Sequence, residues 1–92
     1  MTVTLWGRKG DAGSVAAQRF LLSHGYRPDK VRDFATDPPV GSELASIKSS
    51  LGPGWDGELR APILLTPRGA LMGFAERRWM EFLDIGRARR GD

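Results

Sequence analysis

Between an apolar stretch, Val3-Thr4-Leu5-Trp6, and a helix-forming segment that begins near Ala12, the chain reads Gly7-Arg8-Lys9-Gly10-Asp11-Ala12-Gly13-Ser14. The unpaired N–H groups and the dipole of a helix N-terminus favour an anion at that place. The groups on offer are a carboxylate, Asp11, a hydroxyl, Ser14, and two cations, Arg8 and Lys9. No cysteine occurs anywhere in the chain. Thiol–disulfide exchange requires a sulfur nucleophile, so the chain cannot catalyse it alone. Disulfides and thiolate metal sites are excluded with it. Ser14 has no adjacent general base, because the single histidine, His24, lies ten residues further along the same helix, and an unactivated hydroxyl is a poor nucleophile. His24 itself reads as a surface residue near the helix end. One histidine and no dense Asp/Glu pattern leave no expected metal site. The glycine-rich run lacks the Lys-Ser/Thr ending of a phosphate loop and the spacing of a dinucleotide fingerprint. No catalytic residue is expected.

The elements that position these residues follow from apolar spacing and from breakers. Val3 to Trp6 reads as a short buried strand. Val15, Ala16, Ala17, Phe20, Leu21 and Leu22 recur at helical spacing up to His24, with Gly25 where a left-handed cap belongs. Tyr26 to Phe34 alternates weakly and reads as a short strand near an edge, with Val31 and Phe34 inward. Asp37-Pro38-Pro39 forces an extended turn. A second helix from about Gly41 carries Leu44, Ile47 and Leu51 on one face and closes at Gly52. Ile63-Leu64-Leu65, a Pro67-Arg68-Gly69 turn and Ala70-Leu71-Met72 form a hairpin. A final helix, from near Ala75 to before Gly86, carries Trp79, Phe82, Leu83 and Ile85. The order is βαβαββα. The second crossover helix allows the first two strands to run parallel with a right-handed connection, and a four-stranded mixed sheet with helices on both faces closes the α/β fold.

Ninety-two residues, 40% hydrophobic and 27% charged, suit one small domain. The expected division is a single domain over 1–86 and a basic tail over 87–92. Fourteen Lys and Arg against eleven Asp and Glu give +3, and Arg87, Arg89 and Arg90 leave the rest of the chain near neutral. The tail reads as a solvated end, with a phosphate-touching arm as the alternative, and nucleic acid is not the expected partner. The closing Arg90-Gly91-Asp92 carries no weight. With Arg8 and Lys9 following only four apolar or β-prone residues, no secretory segment is expected. No stretch is long enough to span a bilayer, so a cytoplasmic protein without a membrane partner is the expectation.

Three stretches carry a family resemblance. Thr2 to Gly10 resembles the first strand and approach loop of the thioredoxin superfamily, in particular of glutaredoxin-like proteins. Ala61-Pro62-Ile63-Leu64-Leu65-Thr66 resembles the segment that holds the family's cis-proline, and Gly69 to Phe74 the hairpin return ending in Gly-Phe. Asp37-Pro38-Pro39 and the helix after it are closer to the arsenate-reductase-like branch, without the larger helical insertion of that branch. Laid on the family's Cys-x-x-Cys, Asp11 takes the place of the first cysteine and Ser14 that of the second.

The resemblance implies a thioredoxin-like fold, a cis Ala61–Pro62 bond, and a backbone edge beside Pro62 that pairs with an extended peptide or with glutathione. That contact uses main-chain groups and does not need sulfur. The expectation is a redox-inactive binding or adaptor module whose groove comprises Arg8, Lys9, Asp11, Ser14, Trp55, Ala61 and Pro62, and whose partner is a peptide segment or another protein. Asp11 reads as a helix cap or as a recognition carboxylate. Ser14 reads as a structural helix residue, and Trp55 as a cover for the core edge or for the groove. Trp6 and Trp79 are expected at the core. No cofactor is required. Glutathione is implied by ancestry but opposed by the Asp11 charge, and the alternative function is a glutathione-dependent transferase or reductase in which the ligand brings the thiol.

Overall fold

The computed structural model describes residues 3–83. The expected tail over 87–92, the last turn of the final helix with Ile85, and the boundary at residue 86 lie outside them. Seven elements follow one another: β1 (Thr4–Gly7), α1 (Ala12–Ser23), β2 (Lys30–Asp33), α2 (Gly41–Leu51), β3 (Ile63–Thr66), β4 (Gly69–Met72) and α3 (Glu76–Phe82). They form one four-stranded sheet in the order β2-β1-β3-β4. β1 runs parallel to β2, with Leu5 beside Val31, and antiparallel to β3, with Leu5 opposite Leu64; β3 and β4 form the antiparallel hairpin. The crossover between the parallel strands is α1. α2, the helix expected to make it, instead leads from the edge strand β2 back to β3.

Alternation along the strands sends side chains to two cores. On one face Leu5, Leu64 and Leu71 meet Ala17, Phe20 and Leu21 of α1 and Trp79 of α3. On the other Trp6, Ile63 and Ala70 meet Ile47 of α2. A sheet covered on both sides needs apolar residues at consecutive positions, which is why Ile63-Leu64-Leu65 shows no polar alternation. Fully burying a side chain such as Ile47 or Leu64 is worth roughly 1.5–3 kcal/mol, so these two layers hold the sheet in place.

Three expectations are corrected. The second strand is Lys30–Asp33 rather than Tyr26 to Phe34, because residues 26–29 form a connection in which Asp29 clamps Val3: its carboxylate accepts from the Val3 N–H at 2.6 Å and its own N–H donates to the Val3 carbonyl at 2.7 Å. Val31 is exposed at 55%, since its outer flank on this edge strand is uncovered; Phe34 does pack against the Trp6 core. On α1, Val15 and Leu22 are also exposed. They stand seven residues apart, two turns, and share the outward face, while Ala17, Phe20 and Leu21 supply the buried stripe.

α1 is the only helix among the described residues with a side-chain N-cap, from Asp11; the caps of α2 and α3, Val40 and Ala75, make no such bond. Gly25 follows α1 with φ +79°, the left-handed turn that lets the Tyr26 N–H return to the Leu21 carbonyl at 2.8 Å.

Candidate functional site

The turn from β1 into α1 closes on itself through three residues. Asp11 Oδ2 accepts from the Ser14 N–H and from the Ser14 hydroxyl, both at 2.8 Å. Ser14 Oγ accepts in turn from the Arg8 N–H at 2.9 Å, and the Asp11 N–H donates to the Arg8 carbonyl at 3.0 Å. Gly7 makes the closure possible: a Cβ there would lie 3.3 Å from the Ser14 Cβ, tighter than ordinary packing allows. Ser14 is buried.

This ring decides what the two chemical groups can do. The Ser14 hydroxyl spends its proton on Asp11 and a lone pair on the Arg8 N–H, and the one base that faces it among the described residues is the Asp11 carboxylate, too weak a base to activate a hydroxyl. The Ser14 hydroxyl bond, then the Ser14 N–H bond and the Arg8 charge, hold the Asp11 carboxyl below its ordinary range. Asp11 is therefore an anion at neutral pH and has no proton to give in acid catalysis.

Pro62 stands against this turn. The Ala61–Pro62 bond is cis, and a Cβ added at Gly13 would lie 3.6 Å from Pro62 Cδ and 3.4 Å from Asp11 Oδ2. The helix N-terminus and the proline thus meet across Gly13. The Pro62 carbonyl accepts from the Gly73 N–H at 2.8 Å. The N–H and carbonyl of Ala61 take no hydrogen bond among the described residues, while the preceding Arg60 N–H rests on Met72 Sδ at 3.3 Å.

The other expected groove residues are placed less closely. Arg8 stacks over Phe34, 5.6 Å from the ring centroid. Arg8, Lys9 and Ser14 line a cleft of about 420 Å³ that opens toward β2, with Val31 and Asp33 on its far side. Trp55 belongs to its own loop: its indole N–H donates to the Glu58 carbonyl at 2.7 Å, beside an Asp56–Arg60 ion pair of 2.7 Å. Arg8, Asp11, Ser14 and Pro62 therefore cluster, Ala61 adjoins them, Lys9 flanks them, and the indole of Trp55 is bonded within its own loop.

One polar centre escapes sequence reasoning. Arg32 lies over the Trp6 ring at 5.2 Å, binds both oxygens of Asp37 at 2.6 and 2.7 Å, and reaches Glu43 at 2.6 Å. The Trp6 indole donates to the Asp37 carbonyl at 2.9 Å. These bonds staple the turn before α2 to the sheet. They raise the Arg32 pKa, through Asp37 first, and lower that of Asp37. The signal was present only as an Arg and two acids five and eleven positions later, a spacing with no helical or strand meaning.

A glutaredoxin from Archaeoglobus fulgidus superposes on the chain with a TM-score of 0.60, covering 88% of this chain and 84% of that one at 16% sequence identity. The chain has the thioredoxin fold in its glutaredoxin form. At that identity the likeness establishes architecture and nothing about activity. No family model matches the sequence, and no curated protein matches it. The glutaredoxin-like fold is thus present in a chain without cysteine, its Asp11 and Ser14 joined in a cap. Among the described residues no helix is long and apolar enough to cross a membrane, and no cluster of three or more potential metal-ligating side chains occurs.

Proposed function

We infer that this is a redox-inactive binding module that docks an extended peptide segment of a partner protein along the Ala61–Pro62 edge. The observation that carries this reading is the unclaimed main chain of Ala61 next to a helix N-terminus whose own polar groups are mutually satisfied. An extended segment can add to such an edge by backbone hydrogen bonds, which tolerate many side chains. Arg8 and Lys9 favour an acidic residue on the β2 side, and Asp11 opposes a carboxylate placed directly over the turn. Glutathione, with two carboxylates and one amine, is therefore a poorer ligand than an extended segment carrying its negative charge to one side.

The enzymatic alternative, in which a bound thiol does the chemistry and Ser14 orients it, has against it the engagement of the Ser14 hydroxyl on both sides. The test is a titration of the isotope-labelled full chain followed by amide chemical shifts, using blocked extended peptides and, separately, reduced glutathione. Saturable peptide shifts at Arg8, Asp11 to Ser14, Ala61 and Ile63 are expected. Silence of all these amides toward every peptide would defeat the reading, and turnover in a coupled glutathione assay that is lost on Ser14→Ala would favour the enzyme.

A further inference from the structure

The sheet has a further unpaired margin, at β4, which hydrogen-bonds to β3 alone. The bond from the Gly73 N–H to the Pro62 carbonyl, with Leu71 opposite Leu64, runs the ladder through residues 69, 71 and 73. In an antiparallel pair the alternate residues face away, so the main-chain groups of Ala70 and Met72 point out of the sheet. The Ala70 N–H is covered by Ser50 Oγ at 2.9 Å, from the last turn of α2. The Met72 N–H has no such cover among the described residues. This edge floors a cleft of about 380 Å³ walled by Ser50 and Leu51 on one side and by Arg78 and Phe82 on the other. Arg68, at the end of the cleft, lies over the Phe82 ring at 5.9 Å. Among the described residues no carboxylate pairs with Arg68 or Arg78.

We propose that the β4 edge is a docking site for an extended acidic peptide segment, which adds a fifth strand through the outward groups of Met72 and sets its carboxylates against Arg68 and Arg78. Charge chooses the occupant. A second copy of this chain paired edge to edge would bring two pairs of arginines into the same slot, and like charges across a strand pair repel. An acidic strand neutralises them. Ser50 limits the contact, because its hydroxyl holds the donor of Ala70 that an incoming strand would otherwise use. The site is separate from the Ala61–Pro62 edge and does not depend on it.

The experiment titrates the labelled full chain at low salt with a blocked heptapeptide of alternating glutamate and valine, and with its lysine–valine counterpart. The expected result is saturable amide shifts at Ala70, Met72 and Arg78 for the glutamate peptide alone. Reversing both charges, Arg68→Glu with Arg78→Glu, weakens binding by about tenfold or more. Ser50→Ala tightens it by about threefold, since a freed backbone donor adds a hydrogen bond. Dispersed amide spectra establish that both variants are folded. Equal binding of the lysine peptide, or a β4 edge that stays silent, overturns the proposal. Shifts confined to residues 8–14 and 61 sustain the Pro62 reading while overturning this one, and shifts confined to β4 sustain this one and leave the Pro62 edge to its own peptide series.

Discussion

Replacing Ser14 by alanine tests the ring at the head of α1. The substitution keeps helix propensity and removes two hydrogen bonds, one accepted from the Arg8 N–H and one donated to the Asp11 carboxylate. A neutral bond contributes about 0.5–1.5 kcal/mol and one to a charged group about 1.5–3 kcal/mol. Asp11 retains the Ser14 N–H, and water can reach the Arg8 amide, so the net loss falls near 2 kcal/mol. For a domain of this size that is a fall in Tm of about 8–16 °C. The assay is urea unfolding at pH 7 with the slope held as a check that only stability has changed. Val15→Ala, at a position 46% exposed on the same helix, serves as the neutral comparison. A Ser14→Ala loss below about 0.5 kcal/mol refutes the reasoning, because the hydroxyl would then be free for other work. The same variant raises the pKa of Asp11 toward its ordinary value, since the Ser14 hydroxyl is the largest cause of its lowering.

Further outcomes follow from the same geometry. Because Asp11 titrates lower in the folded chain than in the unfolded one, its stabilisation is complete above the ordinary value of 3.8 and is lost as pH falls through the folded value; the stability gap between wild type and Asp11→Asn should hold steady above about pH 5 and close below it, and a gap that widens with acid contradicts the cap. Ile47→Ala, at a fully buried position on the α2 side, should cost about 2–5 kcal/mol in urea unfolding, and a loss under about 1 kcal/mol would mean that α2 is not packed on the sheet. Installing a thiol at the head of the helix, Asp11→Cys, should give an alkylation profile with a pKa below the ordinary value of about 8.5; an ordinary profile would mean that this turn does not favour an anion. Arg32→Met should increase amide exchange in residues 34–40 with α1 unaffected, and unchanged exchange would show that the Arg32–Asp37–Glu43 contacts do not staple that turn.

The fold was legible in the sequence wherever an apolar run met a breaker. Gly25 and Gly52 end α1 and α2, Pro67-Arg68-Gly69 turns the hairpin, and the unbroken run at Ile63 to Leu65 announces a sheet covered on both faces. β2 is shorter than the weak alternation from Tyr26 suggests, because Pro28 and Asp29 are poor strand residues and Asp29 is used to clamp Val3, a contact 26 residues away in sequence. The exposure of Val31, which shares the sheet face of Leu5, depends on which flank α1 leaves uncovered, and no local pattern encodes that. At the site, Asp11 as a cap and Pro62 beside it were readable from residue type and position. The closure through Ser14 and the Arg8 amide was not, since a backbone donor leaves no mark in the sequence. Trp55 reads from sequence as a cover for the core edge or for the groove, and the bond from its indole to the Glu58 carbonyl is a contact within its own loop that residue type does not reveal.

Binding at the Ala61–Pro62 edge, as proposed, proceeds through main-chain groups in a chain that has no thiol. Intermolecular nuclear Overhauser effects between a bound extended peptide and this protein test it most directly. Cross-peaks from peptide α protons to the Ala61 amide are expected in a strand-pairing pattern, unchanged in the Ser14→Ala variant. A peptide that binds saturably yet shows contacts only to side chains far from Ala61, or pairs there only when a cysteine is installed at position 11, contradicts it.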